Sequence, residues 1–351
     1  MKRYLILAEG YVFDPHYGKT MRGVVRYRRD EVVALVDSEH AGEELDGLPI
    51  VDTVPDALAY EPDTALVGVA TQGGRLPPPW QRILRDAIEA GLDVESGMHI
   101  FVSDDPDLAA LAREHGVDLR DLRRPPEGLS VPTGANLEVE AASVLTVGSD
   151  CAIGKMTVSL ELDKAARERG IASVFVPTGQ TGIVIADWGI SVDAVVADFL
   201  AGAAEQLVVE GAERGGELLW IEGQGSIIHP QYSGVTLGLM HGSAPNLFVL
   251  CHQAGATEIV GVPGHPILPL VELVELHERL SLPARRATVA CVALNTSALE
   301  EDEARAAIEE TEAEVGLPTD DPVRFGPDRL LDAVLAALRA DVAPERGIRT
   351  R

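Results

Sequence analysis

The chain has 351 residues, 46% of them hydrophobic and 4% aromatic, with 34 glycines and a formal charge of -27. That length has room for two domains with separate cores, and the charge argues against nucleic acid or an anionic membrane as partner, since both would be repelled. No apolar run reaches membrane-spanning length and the first nine residues are too short for a signal peptide, so a cytoplasmic location is expected.

Four residues are lysines, Lys2, Lys19, Lys155 and Lys164, and arginine supplies the other positive charges. So acidic and lysine-poor a composition resembles proteins of salt-loaded cytoplasms, where screening tolerates self-repulsion.

Residues 3–8 (RYLILA) and 31–37 (EVVALVD) read as buried strands. Between them Gly18, Lys19 and Thr20 look like half a phosphate motif, but no strand leads directly into them, and a surface turn is expected. Residues 64–70 (TALVGVA) form a third strand followed by a polar glycine turn at 71–74. A helix is expected over 80–90 with Gly91 as its stop, then a short strand at 99–102 and a helix over 105–115. Strands alternating with helices imply a parallel sheet. Residues 1–130 are therefore expected to form a Rossmann-like domain, without the full glycine fingerprint of a dinucleotide site. The Pro- and Gly-rich stretch 123–136 marks the boundary, and residues 137–342 form a second α/β domain.

The second domain opens with VLTVGSDCAIGKMTVSLEL: a short β-prone run, a glycine-bounded loop, a lysine and a helical pattern. That order suits a phosphate cradle, because loop amides and a helix N-terminus point at an anion while the lysine adds charge. Gly148, Ser149, Asp150, Cys151, Ala152, Ile153, Gly154, Lys155, Met156 and Thr157 are the expected cofactor contacts. Five residues separate the two glycines, where four are usual, and Met156 stands where a magnesium-binding Ser or Thr is normal. Thr157 comes one position late, a rotation of about 100 degrees on a helix of about 3.6 residues per turn. A phosphate or pyrophosphate site is thus better supported than magnesium-dependent hydrolysis.

A strand at 172–176 ends in Thr178, Gly179, Gln180 and Thr181, of which Gln180 and Thr181 are expected at the cofactor and Thr178 at the substrate. Asp187 and Asp198 follow at loop positions, where a solvated carboxylate is the commoner role than a cation ligand. The strand 217–221 ends in Glu222, Gly223 and Gln224, the place where such sheets keep the acid that orders a metal or water. Glu222 and His229, seven residues on, are the expected acid–base groups, with Lys155 the third catalytic candidate and Gln224 at the substrate. Strands at 246–251 and 288–295 complete the sheet, the second ending in Asn295, where a base or adenosine would lie. Helices over 300–315 and 328–340 precede a tail at 344–351. Cys251 and Cys291 read as strand core, whereas Cys151, beside a helix N-terminus, sits where thiolate is favoured. The spacing of His241, His252, His265 and His277 suggests no zinc site.

Taken in order, GSDCAIGKMT, VPTGQTG, IEGQGS and ALNTS resemble the dethiobiotin synthetase branch of P-loop folds. The two-domain whole is similar to the DUF1611 family, in which a Rossmann-like domain precedes a P-loop domain and some members are described as D-glutamate N-acetyltransferases. The resemblance implies acetyl-CoA as cofactor, held by its phosphates at the loop, and an acidic D-amino acid as substrate. Arg22 and Arg26 are then candidates for its carboxylates. The alternatives are an ATP-dependent amide-forming ligase, with Mg on Thr157, Asp198 and Glu222, and a nucleotide-binding regulator without turnover. A homo-oligomer is expected.

Overall fold

The computed structural model describes residues 2–14, 17–70, 76–77 and 79–341. The turn expected at 71–74 and the tail at 344–351 lie outside the described residues.

In chain order the first elements are β1 (Tyr4–Leu7), α1 (Lys19–Tyr27), β2 (Val32–Val36), β3 (Glu44–Leu45), β4 (Leu48–Val51), α2 (Val54–Ala57), β5 (Thr64–Val67), α3 (Pro79–Glu89), β6 (Asp93–Ser96), α4 (Pro106–His115) and β7 (Leu119–Asp121). They are followed by β8 (Ala142–Gly148), α5 (Lys155–Glu168), β9 (Ser173–Val176), α6 (Gln180–Ala186), α7 (Ala197–Glu213), β10 (Leu218–Ile221) and α8 (Ser233–Ser243). The last are β11 (Leu247–Gln253), α9 (Leu270–Leu280), β12 (Thr288–Asn295), α10 (Glu301–Val315), β13 (Thr319–Asp320) and α11 (Asp328–Asp341). They group into two compact units, Met1–Pro126 with Gly179–Ala194, and Glu127–Thr178 with Val195–Arg351.

The sheet of the first unit runs β3-β4-β2-β1-β5-β6-β7, parallel except where β3 pairs antiparallel with β4. Its central strands β1, β2 and β5 read as apolar runs because helices cover both faces. The pleat sends Leu5 and Leu7 into one core with Trp80 and Leu84, and Tyr4 and Ile6 into another with Met21 and Leu35.

Three expectations change here. Lys19 opens helix α1 rather than a turn, because Thr20, Met21, Val24 and Val25 recur at helical spacing and are buried together. Residues 99–102 form no strand. The pairing strand is β6, whose Glu95 hides the apolar signal yet is buried, accepting hydrogen bonds from Lys2 (2.6 Å), Arg120 (3.0 Å) and Tyr4 (3.1 Å). Residues 179–194, read as part of the second domain, group with the first unit, since Ile183 and Val184 of α6 pack with Tyr4, Ile6 and Met21.

In the second unit the sheet runs β13-β12-β11-β8-β10-β9, all parallel. β8 lies between β10 and β11, so the loops leaving the C-terminal ends of these three strands are neighbours. That edge is where open parallel α/β sheets bind ligands. Val144, Leu162, Trp220 and Val249 fill the core beneath it. Among the described residues no helix is long and apolar enough to cross a membrane.

Candidate active site

The loop after β8 turns into α5 through Ala152 (φ 55°) and Gly154 (φ 110°). At Gly154 any side chain would be strained, so the glycine is what lets the loop close onto the helix. The first backbone bond of α5 is Val158 N–H to the Gly154 carbonyl, 2.9 Å, and its first turn carries no acidic residue. The N–H groups of Lys155, Met156 and Thr157 therefore have no acceptor within the helix, the arrangement that can hold an anion.

Lys155 is 6% exposed and donates from Nζ to the Asp150 carbonyl at 2.6 Å. Burial holds its pKa below the usual lysine range, against the pull of Cys151, Cys251, Asp150 and Glu222. Its stem rests on Gly223, where an added Cβ would lie 3.0 Å from Lys155 Cδ and 1.7 Å from the Thr146 carbonyl oxygen. Only glycine permits β10 to leave the sheet this close to β8. The Gly223 N–H donates to Thr146 Oγ1 at 2.9 Å, which ties the acid turn to the strand carrying the loop.

Asp150 is buried and staples the loop: its carboxylate accepts the N–H of Cys151 (2.6 Å) and of Val260 (2.8 Å). With Cys151 and His229 it forms a group whose ligand atoms lie within 4.8 Å of one another. The ring state of His229 decides what that group can do. Its Nδ1 accepts the Gln231 N–H at 3.1 Å, so the proton of the neutral ring sits on Nε2, 4.0 Å from Asp150 Oδ1. Burial holds the pKa of His229 below the usual imidazole range. In this tautomer neither nitrogen offers a lone pair to a metal or to a substrate proton. In this arrangement His229 presents an N–H, and acting as a general base would require Nδ1 to give up the Gln231 N–H.

Glu222, 5% exposed, stands just past β10, with Oε2 accepting the Thr178 N–H at 2.9 Å while its carbonyl accepts Thr178 Oγ1 at 2.7 Å. Gln224 donates from Nε2 to Thr178 Oγ1 at 3.3 Å. The fold thus brings Lys155, Glu222, Thr178 and Gln224 together from β8, β9 and β10. Asn295 is turned inward: Nδ2 reaches the Ile153 carbonyl (3.4 Å) and Oδ1 accepts the Ser297 N–H (3.0 Å). Asp198 is exposed in the first turn of α7, and Met156 and Thr157 are half-buried in the first turn of α5.

The other expected residues belong to the first unit. Gln180 Oε1 accepts from the buried Arg123 at 2.8 Å, and Thr181 shares a hydrogen bond with Thr20 at 3.1 Å. Arg22 donates to the Phe13 carbonyl at 3.2 Å, and Arg26 lies 5.3 Å over the Tyr27 ring.

His252, near the end of β11, was not among the candidates, although the C-terminal end of a central parallel strand is a signal for a ligand contact. Its Nδ1 pairs with Ser149 Oγ at 2.8 Å, joining the loop to a hollow of about 390 Å³. His252, Leu270 and one face of α10, Ala307, Glu310, Thr311 and Glu314, help line that hollow.

Residues 130–331 match a family model described as the DUF1611 C-terminal P-loop domain, and residues 38–125 one described as its N-terminal Rossmann-like domain. A protein of Tritonibacter scottomollicae named D-glutamate N-acetyltransferase is 39% identical over 323 residues, 91% of this chain and 94% of its own. One of the same name from a Pseudoalteromonas species is 36% identical over 80% of this chain and 83% of its own. The crystal structure of a DUF1611 family protein from Anabaena variabilis is similar at a TM-score of 0.89 and 41% identity, covering 96% of this chain and 100% of that one.

Proposed function

The chain belongs to the DUF1611 family, and on that footing we propose that it is an N-acetyltransferase carrying the acetyl group of acetyl-CoA to the amine of D-glutamate. The observation that carries this reading is the match to a relative of that name along 91% of the chain. The geometry of the loop supports it: Lys155 and the free first turn of α5 form a seat for the diphosphate of the donor. In the reaction the amine loses a proton and attacks the thioester carbonyl, the C–N bond forms, and coenzyme A leaves as its thiolate.

The diphosphate and the thioester stand at opposite ends of the pantetheine arm. Groups packed around Lys155, Glu222 and His229 among them, consequently serve the phosphate end. Glu222 holds the Thr178 turn and His229 presents an N–H, while the base that takes the amine proton stands at the far end of the arm. The assay is release of free coenzyme A thiol from acetyl-CoA, dependent on D-glutamate and independent of ATP. No thiol release with D-glutamate at saturating donor would sink the reading.

A second reading, an ATP- and Mg-dependent amide-forming ligase, is favoured by one observation. The buried carboxylate of Glu222 stands beside the loop lysine, where a γ-phosphate and its metal would be ordered. It predicts ADP release when an amino acid and a carboxylic acid are present together, and no turnover without nucleotide.

A further inference from the structure

We infer that the hollow beside His252 seats the adenosine of the ligand, and that it provides no cationic side chain for a 3′-phosphate. The inference rests on the phosphate-seat reading of Lys155 and deepens it, because it names which part of the ligand lies where. The chemistry shared by coenzyme A and a free adenine nucleotide is the adenosine diphosphate group, and the hollow is placed for it.

Three observations converge. His252 lines the hollow and its Nδ1 pairs with Ser149 Oγ, so a wall residue of the hollow is bonded to the loop that leads to Lys155. Its volume, about 390 Å³, lies within the ~300–1,000 Å³ of small-molecule sites. Its walls mix apolar surface, Ile267, Leu268 and Leu270, with polar groups, the composition that takes a flat base and a ribose. Asn295, the residue expected at the base, is not part of the wall and spends both ends of its amide within the protein.

Charge sets the selectivity. Ala307, Glu310, Thr311 and Glu314 are one face of α10, at helical spacing, and the described lining of the hollow contains two glutamates and no lysine or arginine. Carboxylates can accept from ribose hydroxyls or from the exocyclic amine of adenine. They repel a phosphate of about -1.5 to -2 charges. The 3′-phosphate of coenzyme A must then point to solvent, and its removal should cost little.

The experiment is calorimetric titration of the full chain with coenzyme A, 3′-dephospho-coenzyme A, ADP and pyrophosphate. Coenzyme A and its dephospho form are expected to bind within about threefold of each other. Ala307→Trp, which fills the hollow, should weaken both, and ADP, by at least about tenfold while leaving pyrophosphate within about twofold. Retained pyrophosphate binding also reports that the variant is folded. Should Ala307→Trp not fold, the double change Glu310→Lys and Glu314→Lys at exposed positions should make coenzyme A bind better than its dephospho form. The inference is overturned if removing the 3′-phosphate costs more than about tenfold in wild type, if Ala307→Trp leaves coenzyme A and ADP unaffected, or if the lysine pair creates no preference. Lys155→Ala separates the two layers: unchanged affinity for every ligand removes the phosphate seat itself, whereas loss there with no effect of Ala307→Trp removes only the adenosine assignment.

Discussion

Protonation of His277 should make acid conditions costly to the second unit. The ring is fully buried in α9, 6.1 Å from the Phe248 ring; Nδ1 donates to the Leu273 carbonyl at 2.7 Å, and Nε2 has no hydrogen-bond partner. Burial pulls its pKa from 6.5 to about 4. The unfolded chain therefore binds the proton more readily than the folded one between these values, and stability rises with pH across that window. The shift of 6.5 to about 4, at 1.36 kcal/mol per pH unit, corresponds to about 3 kcal/mol below both values and about 2 kcal/mol between pH 7.5 and 5. Urea unfolding of wild type and His277→Leu at the two pH values isolates this residue, because all other titrations are common to both. The stability difference between the proteins should move by about 2 kcal/mol in favour of the leucine variant at pH 5. Parallel pH profiles would show that the buried nitrogen is not the source of acid sensitivity.

Gly223→Ala should disable the site with little warning from sequence, since its Cβ would sit 1.7 Å from the Thr146 carbonyl oxygen; we expect a loss of several kcal/mol by denaturation, or no folded protein. Thr146→Val should lose the Gly223 N–H bond and cost roughly 1–3 kcal/mol, measurable by the same assay, because a buried donor is left without its acceptor. Glu205 accepts the N–H groups of Thr133 and Gly134, bonds that hold its carboxyl below the usual range although burial alone would raise it. Glu205→Gln should accelerate amide exchange at Thr133 and Gly134, and unchanged protection there would refute the role. With a charge of -27, the chain should melt at higher temperature as salt is raised to about 1 M, where the screening length falls to about 3 Å, and a flat melting temperature would count against self-repulsion.

Much of the fold was legible in residue order because buried parallel strands are continuous apolar runs. YLIL, VVALV, LLWI and TVACVALN declare themselves, and glycine stops such as Gly91 adopt the left-handed conformation that ends a helix. DVES, the strand β6, did not, since Glu95 is buried through partners 93 residues before it and 25 after. The loop from Gly148 to Thr157 was equally plain as a motif, because strand, glycine, lysine and helix are local features.

What the amino-acid order determined by itself, then, was the pair of α/β domains, the glycine–lysine loop between β8 and α5, and the family. Tertiary structure alone decided that α6 packs in the first unit, that His252 couples the loop to a hollow, that Val260 fastens Asp150, and that the Gln231 N–H takes the lone pair of His229. Periodicity and turn chemistry are set by neighbours along the chain, whereas partners such as Ser149 and His252, 103 residues apart, meet only because the sheet places β11 beside β8.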